Sequence, residues 1–472
     1  MGFIPTEVPP SSFLWVLFPP RFLPHRGSSL ILPLGRRVHP SLFLPFIRGS
    51  SLNLFIWVLF ALLKSTLLIT SPQIAIAPTG TQACTLDIAK FHRTCPVIPD
   101  HKPWLVVQGH AGDFFIDHDH PFGLSCASSN SGMIANAAVD IWMAEGIRPI
   151  LKYEDDLNIF RRPIDDGPFL DGEHRYAYDR EHALRIIHSL QIPWHPDKGT
   201  LHFSSIFTFI GMLWNIDLHR VSLPENKRMK FLHRTRAFLD AFSRRQCQLR
   251  DIESIHGSLC YISFVYVEGR SRLPSLSNFA VTFNGNEFIH RYPPPSVISD
   301  LKWWSSQLEM TNFYRQLTPR GPSLDFGIFV DASTSWGIGI IFDGKWMAWK
   351  LSSTWKIPGR DICWLETLAV EFLCRILEMY DFKNCSIIIH SDNQGTIGSM
   401  HKGRSPNVHV NHSIRRIHAI LIPRFITPVL TYVASENNLA DPLSRGEQDP
   451  SRPKLPSFEL PCELRNIFVD AS

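Results

Sequence analysis

Two adjacent aspartates, Asp155 and Asp156, interrupt a run of strand-forming residues, Ile150-Leu-Lys-Tyr-Glu-Asp-Asp-Leu-Asn-Ile-Phe160. The flanks read as two strands of a tight hairpin with Glu154, Asp155 and Asp156 at its tip. Like charges this close repel, so a fold that presents both needs a cation to hold them. The Asp-Asp-Gly at 165–167 is the contrasting case: it lies in a Pro/Gly context without flanking strands and reads as a solvated turn. Upstream, Asp87 closes another short apolar run.

A second set of acids lies in the last third of the chain. Asp331 follows the strand-like Leu324 to Val330, and Glu366 lies near the start of a helix-spaced stretch from Asp361 to Tyr380. Asp392 ends Ser386-Ile-Ile-Ile-His-Ser-Asp392, and Asp441 opens Asp441-Pro-Leu-Ser-Arg445. Strand ends of an α/β sheet converge on one rim, where carboxylates share metal ions. Any one of these acids alone reads as a helix cap or a surface charge. Between the runs Trp336 to Phe342 and Lys345 to Trp349, Asp343-Gly344 is a type I′ hairpin signal.

The elements needed to position these acids fit a chain of 472 residues, long enough for two or three packed units. With 44% hydrophobic and 19% charged residues it is too apolar for a disordered protein and too charged for a polytopic membrane protein. The net charge of +4 is unevenly placed: residues 1–75 hold six basic residues against one acid, Glu7, and so account for all of it. That segment is Pro-rich and apolar, shows neither helical nor strand periodicity, and is expected to stand outside the working fold. Its most apolar piece, Leu52 to Leu63, is too short for a bilayer span, and no stable membrane association is expected. No basic n-region and cleavage site mark a secretory signal. Nine scattered cysteines without a CxxC pair read as buried apolar residues in a reducing, intracellular compartment, cytoplasm or nucleus. His118-Asp119-His120 lacks a third metal ligand at a suitable spacing.

The order of features resembles two linked modules of retrotransposon polyproteins. Residues 76–224 are similar to the palm of reverse transcriptases. Asp87 matches the first catalytic aspartate, Phe122-Gly123 the template-contacting element, and Tyr153-Glu154-Asp155-Asp156 the YxDD box. Lys198 matches the lysine near the nucleotide phosphates, and Phe209-Ile-Gly211 the primer-grip-like element. Residues 325–447 resemble ribonuclease H domains through the D-E-D-D order of Asp331, Glu366, Asp392 and Asp441, within Asp-Ala-Ser, Ser-Asp-Asn-Gln-Gly and Asn-Leu-Ala-Asp-Pro-Leu-Ser-Arg boxes. A thumb and connection are expected over 225–324 and a Pro-rich tail over 448–472. On the thumb, Lys227, Arg228, Lys230, Arg234, Arg236, Arg244 and Arg245 form a basic run suited to phosphate contacts. The pair Trp303-Trp304 in the connection reads as core packing.

The resemblance implies an α+β polymerase palm and thumb, the palm ferredoxin-like and the fingers incomplete, followed by an α/β ribonuclease H-like domain with a mixed five-stranded sheet. It also implies RNA-directed DNA polymerase and RNA–DNA hybrid endonuclease activities. Each site would use two Mg²⁺, or Mn²⁺ in their place, held by Asp87, Asp155 and Asp156 in one and by Asp331, Glu366, Asp392 and Asp441 in the other. The partners so implied are an RNA template, a DNA primer, an RNA–DNA hybrid and deoxynucleoside triphosphates. The departures are Glu154, where the family has a small or apolar residue, and the unusual first 75 residues. They leave open a second reading, a retroelement remnant that at most binds nucleic acid.

Overall fold

The structure is a computed structural model. It describes residues 66–470 except 68, 122–123, 125, 165–173, 201 and 320–321. Phe122, Gly123, the turn at 165–167 and Leu52 to Leu63 therefore lie outside the described residues. Those described fall in one compact unit, Leu54–Ser472.

In chain order the first elements are β1 (Gln82–Asp87), the short pair β2 (Val106–Gln108) and β3 (Phe114–Ile116), α1 (Ala127–Ala144), β4 (Ile150–Tyr153), β5 (Asp156–Arg161) and α2 (Arg180–Ile186). β1, β5 and β4 form an antiparallel sheet in that order. This sheet has three regular strands. The place beside β1 is taken by the stretch around Ser204, which exchanges backbone hydrogen bonds of 2.9 Å with Ala83 in both directions. Pro193, Pro196 and Gly199 in its approach disfavour a regular ladder. One face of the sheet buries Cys84, Leu86, Leu157 and Ile159 against Ala135, Ala138 and Trp142 of α1. On the other side, Leu67, Ile74 and Ala75 pack with Leu151, Phe160 and Phe207. The expectation that residues 1–75 stand apart is thus corrected at its C-terminal end, because these apolar residues belong to the core.

β6 (Ile206–Phe209), β7 (Met212–Asn215) and β8 (Arg220–Ser222) then lead to α3 (Glu225–Phe242), α4 (Leu249–Ile262), α5 (Leu273–Val281) and α6 (Pro295–Glu309). β9 (Tyr314–Gln316) closes the four-stranded sheet β6-β7-β8-β9. Trp304 is fully buried between these helices and Trp303 packs on it edge to face at 5.3 Å, so the tryptophan pair is core, as its sequence suggests. The basic run divides. Arg228 is buried and binds Glu225 and the Leu308 carbonyl, while Arg244 and Arg245 lie beyond the end of α3.

The remaining elements are β10 (Ser323–Leu324), β11 (Phe329–Ala332), β12 (Gly337–Phe342), β13 (Lys345–Leu351), α7 (Ile362–Met379), β14 (Cys385–Ser391), α8 (Gln394–Lys402), α9 (Val408–Leu421), β15 (Ile426–Tyr432), α10 (Asp441–Ser444), α11 (Cys462–Arg465) and β16 (Phe468–Asp470). Asp343 and Gly344 join β12 to β13 with φ of 50° and 70°, both left-handed as a type I′ turn requires. β11 runs parallel to β14 and antiparallel to β12, and β14 also pairs with β15 in parallel. The mixed sheet expected with five strands has seven: β10 adds to β14 and β16 to β13. β16 comes from the segment expected to be a tail. Leu455, Leu464, Ile467 and Phe468 bury against the same core as Phe372 and Trp349, so apolar burial overrides the proline-rich composition. The nine cysteines form no disulfide, but only Cys84, Cys247 and Cys374 are buried, and Cys126 and Cys462 are exposed rather than core.

Candidate active sites

The second acidic site is built on adjacent parallel strands. Asp331 is the third residue of β11, and Asp392 follows the last residue of its neighbour β14, so both strands deliver a carboxylate to the same rim. α7 lies against this rim and begins where Asp361 caps the Trp364 N–H at 2.9 Å, which puts Glu366 one turn in. Oε1 of Glu366 accepts the Ala332 N–H at 3.1 Å, while Oε2 is buried without a hydrogen-bond partner. Ligand oxygens of Asp331, Glu366 and Asp392 lie within 4.8 Å of one another, the one such group of acids, histidines or cysteines among the described residues.

Burial and mutual repulsion are visible in the ionisation of this group. Burial, then the Asp331 and Asp392 charges, push the Glu366 carboxyl up to about 9. Burial raises Asp331 to about 7, against an opposing hydrogen bond from Ser444. Two neighbours hold the carboxylates in place: the Asn438 amide donates to Asp331 Oδ1 at 3.1 Å and the Ser435 hydroxyl donates to Asp392 Oδ2 at 2.5 Å, while the Ser444 hydroxyl donates to the Asp441 backbone carbonyl at 2.9 Å. Ser435 did not stand out in the sequence, whereas Asn438 and Ser444 both lie in the Asn-Leu-Ala-Asp-Pro-Leu-Ser-Arg box. A buried, unpartnered carboxylate oxygen facing two further acids fits a hard divalent cation with oxygen ligands.

Asp441, the fourth acid of the series, is not in this group. Its two oxygens accept from Arg445 Nε and Nη2, each at 2.8 Å. α10 reaches the site because Gly339, opposite Asp331 in the β11/β12 register, has no side chain: a Cβ there would lie 2.6 Å from the Ala440 carbonyl oxygen.

At the first site, Asp87 ends β1 and pairs in register with Asp156, the first residue of β5. The β4/β5 turn consists of Glu154 and Asp155, and the Ile88 N–H donates to the Asp155 carbonyl at 3.0 Å. Asp87 is buried and the other two carboxylates half-buried. Burial, reinforced by Asp155 and Asp87, pushes Asp156 up to about 7, and Asp155 is raised by burial. Lys198 Nζ lies 3.4 and 3.3 Å from the two Asp87 oxygens. It is brought there by Gly199, whose φ of 82° and close approach to the Thr85 carbonyl exclude a side chain. Lys227 of α3 faces Asp156 and partly offsets that acid's raised pKa. It stood out in the sequence only as one of a basic run. A cavity of about 380 Å³ opens beside Asp87, Asp156 and Lys198, with Thr208 and Gly211 on its far wall. Tyr153 packs half-buried against the core, and its hydroxyl is raised to about 12, chiefly by burial.

No family model matches the chain, and no curated protein matches it. Among solved structures it is similar to the foamy viral protease-reverse transcriptase dRH in complex with double-stranded DNA, with 14% identity, TM-score 0.38, and coverage of 77% of this chain and 59% of that one. It is also similar to the foamy viral protease-reverse transcriptase with RNA/DNA hybrid, at 14% identity and TM-score 0.39, over 82% and 48% of the two chains. A third likeness is to the same protein with double-stranded DNA, at 16% and 0.38, over 77% and 70%. The chain thus spans less than two thirds of the first two. Likeness at this level fixes neither fold nor function, and the functional reading rests on the residues of the two sites.

Proposed function

We propose that the chain is a retroelement-derived, RNA-directed DNA polymerase with ribonuclease H activity on RNA–DNA hybrids. The observation that carries the hydrolytic half is the preassembled group Asp331, Glu366 and Asp392, in which one Glu366 oxygen is buried without a hydrogen-bond partner. Asp331, Glu366, Asp392 and Asp441 would hold magnesium there, and Asp87, Asp155 and Asp156 at the other site. Two such ions activate the attacking oxygen and neutralise the leaving one during phosphodiester chemistry. The chain's own residues set the geometry: Asn438 fixes Asp331, and Ser435 fixes Asp392. In the palm, Lys198 is the cation for the phosphates of a deoxynucleoside triphosphate. Exposed basic residues of α3 are the contacts for the backbone of a template and primer or a hybrid. The ferredoxin-like reading of the palm sheet and the division at residues 224/225 and 324/325 belong to this proposal.

A specific observation favours a narrower second reading for the polymerase half, that it binds nucleic acid without extending it. Asp87, Asp155 and Asp156 do not meet as one ligand group, and Lys198 already covers Asp87. Both readings are tested on the full chain. Cleavage of an RNA–DNA hybrid is expected with Mg²⁺ and is lost in Asp392→Asn, while primer extension on an RNA template separates an active palm from a remnant. A folded wild-type chain that leaves the hybrid intact would sink the hydrolytic proposal.

A further inference from the structure

Asp441 completes the order of four acids, yet its carboxylate is taken up by a guanidinium four residues along. The pair is two-pronged and planar, the arrangement in which arginine best matches a carboxylate. Arg445 does more than neutralise one acid. Its pKa is raised first by the Asp441 hydrogen bond and charge and, more weakly, by the charges of Asp331 and Asp392. Asp331 and Glu366 lie deep and Asp392 is half-buried, whereas the Asp441 and Arg445 side chains are 25% and 58% exposed. An ion pair in contact with water is weak and opens at little cost.

We propose that Arg445 is a positioning residue for the second cation. Resting on the reading of this rim as a metal-dependent nuclease site, the inference is that Arg445 withholds Asp441 from the three-acid group. The nucleic-acid-free protein then takes one divalent cation at the rim. The second enters when a phosphate of the bound nucleic acid, a competing partner for the guanidinium, draws Arg445 away and frees Asp441. Two-cation occupancy is thereby tied to the presence of the substrate backbone. The four-residue helix α10 suits this role: Ser444 is buried with its hydroxyl donating to the Asp441 carbonyl at 2.9 Å, and Arg445 just past its end stays at the surface.

The test counts Mn²⁺ bound to the full chain without nucleic acid, by calorimetry and by the paramagnetic signal of free Mn²⁺. Relative to wild type, Arg445→Gln is expected to bind one further Mn²⁺ per chain, with an affinity up to roughly fivefold above any second binding at the wild-type rim. Adding Asp441→Asn to Arg445→Gln removes that ion. Arg445→Lys, which keeps the charge but loses the two-pronged fit, falls between wild type and Arg445→Gln. An unchanged count and affinity in Arg445→Gln overturns the inference, as does an extra ion that survives Asp441→Asn. Asp392→Asn in the wild-type background separates the two levels: if it leaves Mn²⁺ binding untouched, the nuclease reading itself fails. If it lowers binding while Arg445→Gln changes nothing, only the role of Arg445 fails.

Discussion

Glu366 shows what a preassembled acidic site costs a protein without its cation. Its carboxyl titrates near 9 in the fold against an ordinary value of 4.5, chiefly because it is buried. Between those values the folded chain keeps a proton that the unfolded chain has released, so stability falls as pH rises through the window. Asp331, raised to about 7, adds to the slope at lower pH. Glu366→Gln removes the charge and keeps the shape. The metal-free variant is expected to be more stable than wild type by on the order of 2 kcal/mol at pH 8 and nearly equal at pH 5. Thermal melts in chelator at the two pH values measure this, and added Mg²⁺ should stabilise wild type but not the variant. An equal gain at both pH values would show that charge is not the cause. Glu154 carries a different tension. It holds φ at 50° in the first position of a two-residue turn, a conformation that disfavours β-branched residues even more than glutamate. The small apolar residue expected by resemblance would thus ease the charge while adding to backbone strain if it were valine.

α9 and α4 carry the clearest element-scale signature, a half-buried histidine each. His418 on α9 has its Nδ1 buried without a partner, and burial, then the Arg270 charge, lower its pKa to about 4 from an ordinary 6.5. His256 on α4 is lowered to about 4 by burial and by Arg404. The unfolded chain takes up these protons between pH 6.5 and 4 while the fold refuses them. The contribution is therefore fully present above 6.5 and is lost as pH falls. Acidification across that window is expected to cost on the order of 3 kcal/mol from His418 alone, and His418→Leu should flatten the fall in melting temperature by that share. An unaltered acid limb would show that other groups dominate. α9 itself was not anticipated, though Asn407 before Val408 and apolar residues at 410, 414, 417 and 421 spell out a capped helix. By contrast the hairpins at Asp343-Gly344 and Glu154-Asp155 were plain, because turn chemistry and alternation are local signals. Ser435 was not, and Lys227, Asn438 and Ser444 were legible only as members of a basic run and of a sequence box, because distant packing alone decides which hydroxyl, amide or amine meets a given carboxylate.

Across the whole molecule, the order of acids along the chain was legible and their convergence was not. Both sets of acids are expected to hold metal, the set with Asp331, Glu366, Asp392 and Asp441 through the more specific resemblance, and among the described residues only Asp331, Glu366 and Asp392 meet as a ligand group. The difference lies in the parallel strands β11 and β14, which deliver acids to one rim, against the β4/β5 turn, which lifts Asp155 off the strand. Composition likewise misplaced both ends of the fold. It set Leu67, Ile74 and Phe468 outside a core in which all three are buried. What joins α6 to the helices around the seven-stranded sheet is also invisible locally: Asp300 of α6, nearly inaccessible, accepts from Arg272 at 3.0 Å and from Arg415 of α9 at 3.1 Å. Arg272 in turn lies over the Trp303 ring at 4.4 Å. Removing the acid leaves two guanidinium groups facing each other with little water, so Asp300→Ala is expected to cost about 3 kcal/mol. Replacing all three, with Asp300→Leu, Arg272→Met and Arg415→Met, should recover most of that loss, because apolar packing avoids the desolvation of the charges. Urea unfolding followed by tryptophan fluorescence measures both. A wild-type midpoint in Asp300→Ala would mean that the two regions are held together by their apolar contacts alone.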